Sequence, residues 1–505
     1  MVRHGLGLVL AGSLLAACSA DDTASTAPEA MPVYEISYEA GTPGRLRVTA
    51  HLPEAPARLT MSERGADQLS DGWAHFVENL AVSTEGGAPI AVEKAAGRAW
   101  RVEAAGEPPA PVVLTYDVRL VHDSVSWQGG VDGAAMALPW GAYFAGRAVF
   151  VTPDSMDGPV RVRFRPAPGR DAAASWPAAT DGASHTFVAP SPASLTESYA
   201  FIGAFEGFTV ERGGFELAFA LGGPSVVARR DEFRALADSA FDYYVALMNG
   251  APRPAPGEPA GRILVIINEA NVTDGEVIGS DINILLEKNP DPFGRLFSTF
   301  GLVHELFHLW NGKSIRPAGP DDWFKEGLTN YYALKTLHRT GNLPEDVFFD
   351  LVGGMLYGRY VSDPGYGRLS PREALVDKDG HWGLVYGGGM FAGLCMDAEI
   401  RRASGGEQSL DDVMRAMFAR FGGSADEYGL EDVATAVREA AGGGYDPGPF
   451  LDRHVRGAEP IPVAACLENF GLVVGESEGG LALSRPVNAT APATRRIDGL
   501  LGRLD

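Results

Sequence analysis

Cysteine is scarce in this 505-residue chain, with three in all, which excludes a disulfide-stapled small scaffold and a thiolate metal cluster. Cys395 and Cys466 stand outside any C-x-x-C spacing, so one structural bridge and two buried free thiols both stay open. Basic residues are outnumbered as well. Lys plus Arg total 42 against 65 Asp plus Glu, and the net charge of -23 repels phosphate backbones, which argues against a nucleic-acid partner. No long hydrophobic run marks a membrane span: the apolar stretch from Leu6 to Ala17 falls short of the roughly 20 residues a spanning helix needs. No repeat of fixed period is present.

What remains is the composition of a protein that folds in water, 45% hydrophobic and 21% charged, long enough for two or three domains. The opening MVRHGLGLVLAGSLLAAC reads as an export signal over residues 1–18. Its small residues before Cys18 resemble the lipobox of bacterial lipoproteins, which implies acylation of Cys18 as the first mature residue. The alternative is an ordinary cleaved signal with an incidental cysteine. Residues 19–31 are small, polar and acidic, as a flexible tether should be. The expected location is the bacterial cell envelope, at the outer membrane facing the periplasm, with membrane contact through the lipid anchor only.

From 32 to 222 short apolar runs such as RLRVTAHL, APVVLTYDVRLV and FELAFAL alternate with Gly, Pro and Asp turns. Their near period-2 pattern predicts an antiparallel, sandwich-like β domain. After Gly222 and Gly223 the period changes. DEFRALADSAFDYYVALMN has helical spacing, GRILVIINEA reads as a buried strand, and several later helical patterns end at glycine. The fold class expected is therefore multidomain α+β, with a mainly helical second domain over 223–475. Residues 476–505 carry too few apolar positions for a further domain and read as a short tail.

The informative segment is His304-Glu305-Leu306-Phe307-His308, inside a helical pattern. Residues four apart on a helix lie one turn above each other, so both imidazoles can face one ion, with Glu305 beside them to act as general base. A hydrolytic zinc site takes three protein ligands and keeps one position open. Glu326 is the expected third ligand, separated from His308 by 17 residues and carried by a second helix in WFKEGLTNYY, with Asp321 and Asp322 as expected N-caps. Asn330, one turn after Glu326, is placed to orient a ligand histidine. Two core-edge histidines and a solvated glutamate are the bland alternative, and the joint arrival of helix, base and W-F-x-E-G weighs against it.

The stretches HELFHLWNGKSIRP, WFKEGLTNYY, VYGGGMFAGLCMDAEIRRASGGEQSLDDVM and FLDRHVRGAEPIP resemble the M61 glycyl aminopeptidase-like metallopeptidases, over roughly residues 32–472. The β-rich half, with LPWGAYFAGRAVFV and SLTESYAFIGAF, looks like that family's N-terminal domain. The resemblance implies a thermolysin-like catalytic domain, one zinc per chain, peptide or protein substrates, aminopeptidase action and a tyrosine that assists the oxyanion. That tyrosine carries over to Tyr386. The family tends to show Tyr-Tyr-x-Lys-Gly there, whereas this chain has Val385-Tyr386-Gly387-Gly388-Gly389 and lacks the lysine. Its Gly-Gly-Leu-Glu-His type segment is reduced here to Gly275 and Glu276, so amine recognition and a plain surface carboxylate are even readings of Glu276. No PDZ domain fits in the tail.

The rival reading is a peptidase-fold lipoprotein that binds peptides or an envelope partner without hydrolysis. The missing lysine and the glycine run, which would loosen Tyr386, favour it. The intact His304, Glu305, His308 and Glu326 stand against it.

Overall fold

The computed structural model describes residues 31–502, except 42–43, 67–68, 104–109, 121–132 and 257–260. The export signal, Cys18 and nearly all of the tether lie outside the described residues. Among the described residues no helix is long and apolar enough to cross a membrane.

The first half is β-rich, as its period-2 pattern predicts. Seven strands form one sheet in the spatial order Thr186–Ala189, Val160–Phe164, Val33–Glu39, Arg45–Leu52, Val112–Arg119, Val77–Thr84, Pro89–Ile90. Alternation sends Tyr34, Ile36, Leu46, Val48, Ala50, Val160, Val162 and Phe164 inward, where they meet Phe144, Phe150 and Trp176 from the facing layer. Two four-stranded sheets complete this half. One pairing departs from the antiparallel expectation: Val33–Glu39 runs parallel to Val160–Phe164. A parallel neighbour needs a long crossover, and the intervening chain supplies it by building other strands on the way.

The second half is mainly helical around a five-stranded mixed sheet, ordered Glu206–Arg212, Phe215–Gly222, Arg262–Ala270, Asp281–Glu287, Asp274–Ile278. The run Phe215–Gly222, read from sequence with the N-terminal strands, pairs in parallel with Arg262–Ala270 and so belongs to this sheet. The change of period at Gly222 marks a strand giving way to a helix within one sheet-and-helix unit. The two halves meet where Tyr143, Tyr199 and Phe201 pack on Ala218, Ala220, Leu264 and Ile266.

Two helices carry the expected site. Pro292–Phe307, the histidine helix, opens with Asp291 accepting from the Gly294 amide at 2.7 Å and with Pro292 in its first turn. It buries Leu302, Val303, Leu306 and Phe307. Asp322–Arg339, the returning helix, has Asp322 in its first turn and His338 and Arg339 in its last, complementing its dipole. Asp321 occupies the N-cap position, but its carboxylate takes the Trp323 indole N–H at 3.1 Å and Arg372 at 3.1 Å rather than capping.

Cys395 and Cys466 are bonded, tying helix Gly389–Ala403 to helix Val463–Phe470. The described part of the tail is not loose. A hairpin, Val473–Ser477 with Gly480–Ser484, and a helix, Ala491–Leu500, close over the helical half. Ile497 and Leu500 enter the core, and the Leu500 carbonyl takes the Tyr331 hydroxyl of the returning helix at 3.3 Å.

Candidate metal centre

The histidine helix ends at Phe307, and His308 keeps right-handed helical dihedrals as its C-cap, so the four-residue spacing still stacks the two imidazoles. Their Nε2 atoms lie 3.0 Å apart. Glu326, on the returning helix, places Oε2 at 3.2 Å from His308 Nε2 and 3.6 Å from His304 Nε2. Four ligands at about 2.0–2.2 Å around a tetrahedral ion are separated by about 3.3 to 3.6 Å, and the three observed edges lie close to one face of such a tetrahedron. The donor chemistry agrees. His308 Nδ1 lies 2.9 Å from the Asn311 carbonyl, which can only accept, so the proton sits on Nδ1 and Nε2 turns a lone pair into the cluster. A second imidazole nitrogen and a carboxylate oxygen converge on that lone pair, and a cation is the partner such a set lacks. No other group of three such side chains is close enough to hold an ion among the described residues.

Electrostatics divide the two glutamates. Burial alone would raise the Glu326 carboxyl, yet His308, His304 and Lys378 overcome it and hold it well below the usual carboxylate range. Glu305 is partly buried, and that burial pushes its carboxyl up, with the His304 imidazole pulling the other way and Glu326 adding to the rise. One carboxylate is thus kept ionised beside two imidazoles, and the other is pushed up towards the range in which a carboxyl can exchange a proton.

Tyr386 reaches the same place from an irregular helical turn, Gly383–Gly388. Its ring lies 6.3 Å from the His304 ring and stacks on Trp382 at 4.9 Å. The hydroxyl has no hydrogen-bond partner among the described residues, and burial drives its pKa far up. The last glycine of the run has a packing reason. A Cβ on Gly389 would meet the Trp323 carbonyl oxygen at 2.1 Å, and one on Gly327 would meet Gly389 C at 2.1 Å. The returning helix and helix Gly389–Ala403 therefore cross backbone to backbone, and glycine is what lets them.

Asn330 is buried, but no hydrogen bond joins it to either imidazole among the described residues, and its Nδ2 is unpartnered. His308 is oriented instead by the Asn311 carbonyl, with Thr329 Oγ1 at 3.5 Å from the same nitrogen. Asn311 Nδ2 in turn donates to the Lys325 carbonyl at 2.9 Å and to Thr329 Oγ1 at 3.2 Å, bracing the turn against the returning helix. His304 Nδ1 is buried without a partner. The Asn311-Gly312 pair, a few residues past the end of the histidine helix, was the available signal for this turn. A lysine that no motif announced stands beside Tyr386: Lys378 Nζ lies 5.1 Å from the Tyr386 ring centre and 2.7 Å from Glu326 Oε1.

Glu276 is committed elsewhere, accepting from the Gly133 amide and the Tyr199 hydroxyl, each at 2.7 Å. Beside the cluster, Phe293, Leu296, Phe297, Phe300, Met355 and Trp382 line an apolar groove. Its inner end abuts the site, with the Phe300 ring 5.8 Å from that of His304.

Comparison with known proteins agrees with this geometry. Residues 33–204 match the Peptidase M61 N-terminal domain, and residues 299–387 match the M61 glycyl aminopeptidase domain, a span holding all of His304, Glu305, His308, Glu326 and Tyr386. Among curated proteins none matches the chain at a significant level. Among solved structures, an aminopeptidase N family protein from Idiomarina loihiensis aligns with a TM-score of 0.73 at 17% identity, covering 88% of this chain and 79% of its own. At that identity the likeness speaks of fold alone.

Proposed function

From the premise that the chain belongs to the M61 peptidase family, as its two matched segments show, we propose that it is a zinc-dependent aminopeptidase of the bacterial cell envelope. The observation that carries the reading is the triangle of His304 Nε2, His308 Nε2 and Glu326 Oε2, with edges of 3.0, 3.2 and 3.6 Å, and with Glu305 next in sequence to His304. Zinc suits two imidazoles and one carboxylate, and bound there it would supply Lewis acidity to the scissile carbonyl and the attacking water.

The remaining steps belong to side chains. Glu305, its carboxyl raised by burial, takes the proton of the attacking water and passes it to the leaving amine. Tyr386 keeps its proton at any working pH and directs an uncommitted hydroxyl to the oxygen on which negative charge develops. The apolar residues beside the site offer a surface against which a non-polar substrate side chain can pack. Acylated Cys18 would hold the enzyme at the outer membrane, facing the periplasm.

The aminopeptidase part rests on the family match and not on Glu276, whose carboxylate is already bonded within the protein. Paired assays on free-amine and N-blocked peptides test it, and equal turnover of both would replace aminopeptidase by endopeptidase. Glu305→Gln tests the mechanism: zinc content should stay near one per chain while hydrolysis falls by about 10² to 10⁴-fold, the usual worth of a positioned base. Undiminished hydrolysis in that variant would remove Glu305 from its role.

A further inference from the structure

Behind the ligand face of Glu326 lies a group of charges that the chemistry above does not use. The carboxylate has two oxygens with separate partners. Oε2 faces the two imidazoles, while Oε1 points away and takes Lys378 Nζ at 2.7 Å. Lys325 Nζ lies 3.4 Å from the same Oε1 but only 2.9 Å from Asp322 Oδ2, so its charge is directed mainly to Asp322. Lys378 has no such competitor, since Asp322 Oδ2 is 3.8 Å from it. It comes from neither ligand helix, following the turn Ala374–Asp377, and its ammonium also sits 5.1 Å from the centre of the Tyr386 ring.

We propose that Lys378 is a positioning residue of the metal centre, fixing Glu326 as a one-oxygen ligand and holding Tyr386 against it. A carboxylate offers about four lone-pair sites and can turn to present either oxygen or both. A charge-assisted bond to Oε1 removes that freedom and leaves Oε2 as the donor. Glu326 is only 4% exposed, so its outer oxygen has little water to satisfy it, and the Lys378 ammonium supplies the hydrogen bond that solvent cannot. The same ammonium meets the Tyr386 ring, so one side chain couples the third ligand to the oxyanion donor.

The proposal rests on the metal-site reading, and the test separates the two. The wild-type chain, Lys378→Met, Lys378→Gln, Lys378→Arg and Lys325→Met are titrated with zinc against a chromophoric chelator, with circular dichroism and thermal melting as the check on folding. The Lys378 side chain is 30% exposed, on a turn outside the core, so these variants should fold. Lys378→Met should lose roughly 10 to 100-fold in zinc affinity, as loss of a partner behind a ligand usually costs. Lys378→Gln, which keeps a donor without the charge, should fall between, and Lys378→Arg should recover most of the loss. Lys325→Met should lose less than Lys378→Met. At saturating zinc, Lys378→Met should lower kcat while leaving KM near the wild-type value, because Tyr386 acts on the oxyanion and not on the bound substrate. Equal zinc affinity in wild type, Lys378→Met and Lys378→Gln would overturn the proposal alone. A wild-type chain that takes up no zinc would overturn the metal-site reading and this proposal with it.

Discussion

Two buried carboxylates, one in the helix pair and one at the seam between the halves, show how surroundings divide function from structure. Glu326 is 4% exposed and Asp281 2% exposed, so burial penalises both charges heavily. Around Glu326 stand two imidazoles and the ammonium of Lys378, and the carboxyl is held well below its ordinary range. Around Asp281 stand mostly neutral donors: the Ser175 hydroxyl at 2.7 Å and the Leu264 and Tyr199 amides, each at 2.8 Å. Burial outweighs them and lifts that carboxyl to about 7. A carboxylate surrounded by cationic and metal-seeking groups is kept charged for chemistry. One surrounded by N–H and O–H groups clamps strands from two sheets together.

The largest break in that contrast should come from Glu326→Gln. The amide keeps the volume but removes the ligand charge, and it leaves two ammonium groups facing a neutral carbonyl. Metal content should drop, and activity at limiting zinc should fall by more than the roughly 10 to 100-fold expected for an outer partner. Elemental analysis beside a peptide assay measures both, and a variant that keeps its metal and its turnover would erase the distinction drawn from Glu326.

A smaller effect, confined to rate, belongs to Tyr386→Phe. Tyr199 offers the structural counterpart, since its hydroxyl is bonded to Glu276 whereas that of Tyr386 is uncommitted. Removing the free hydroxyl should cost about 10² to 10³-fold in kcat with zinc content unchanged, the scale of one oxyanion donor. A drop in zinc content instead would place Tyr386 among the supports of the metal and not among the reacting groups.

The legible part of this site was the part written in local periodicity. Helical spacing put His304 and His308 on one edge, and the clustered aromatics around Glu326 announced a buried helix. Tyr386 was reached only through a family resemblance, because a tyrosine at the start of an apolar segment has no distinctive local pattern. Asn330 was placed one turn from Glu326 by the same periodicity, but rotation about a helix does not say which neighbour an amide meets. The partner that orients His308 is a backbone carbonyl, at Asn311, and no side-chain pattern reports a carbonyl. Lys378 was invisible for a different reason: it lies 52 residues from Glu326, and only the folded path of the loop brings the two together. The sheets repeat the lesson. Strand character was plain in Phe215–Gly222, but its parallel partner is a long-range fact, so its place in the five-stranded sheet of the second half could not be read from alternation.

The effect smallest on turnover, and the one that most sharpens the contrast, is Asp281→Asn. Folding that lifts an aspartate from its ordinary 3.8 to about 7 makes the folded chain bind more protons than the unfolded chain between those values. Stability then falls as pH rises from about 4 to about 7, and it levels off above, where both states are ionised. The Ser175 hydroxyl suits either form, because it can donate to the carboxylate or accept from the acid. Asparagine cannot titrate, and its NH₂ group opposes one of the three donors, so the variant should be less stable than wild type at pH 5, by about 1 to 3 kcal/mol. As wild type loses its own margin on the way to pH 8, the gap between the two should narrow. Thermal midpoints of both proteins at the two pH values measure this, with peptide turnover of the folded variant expected to stay at the wild-type level. Parallel pH curves would mean that Asp281 is ionised in the folded chain at pH 5, held there by its three donors, and that neutral hydrogen bonds alone can do for a buried carboxylate what histidines and Lys378 do for Glu326.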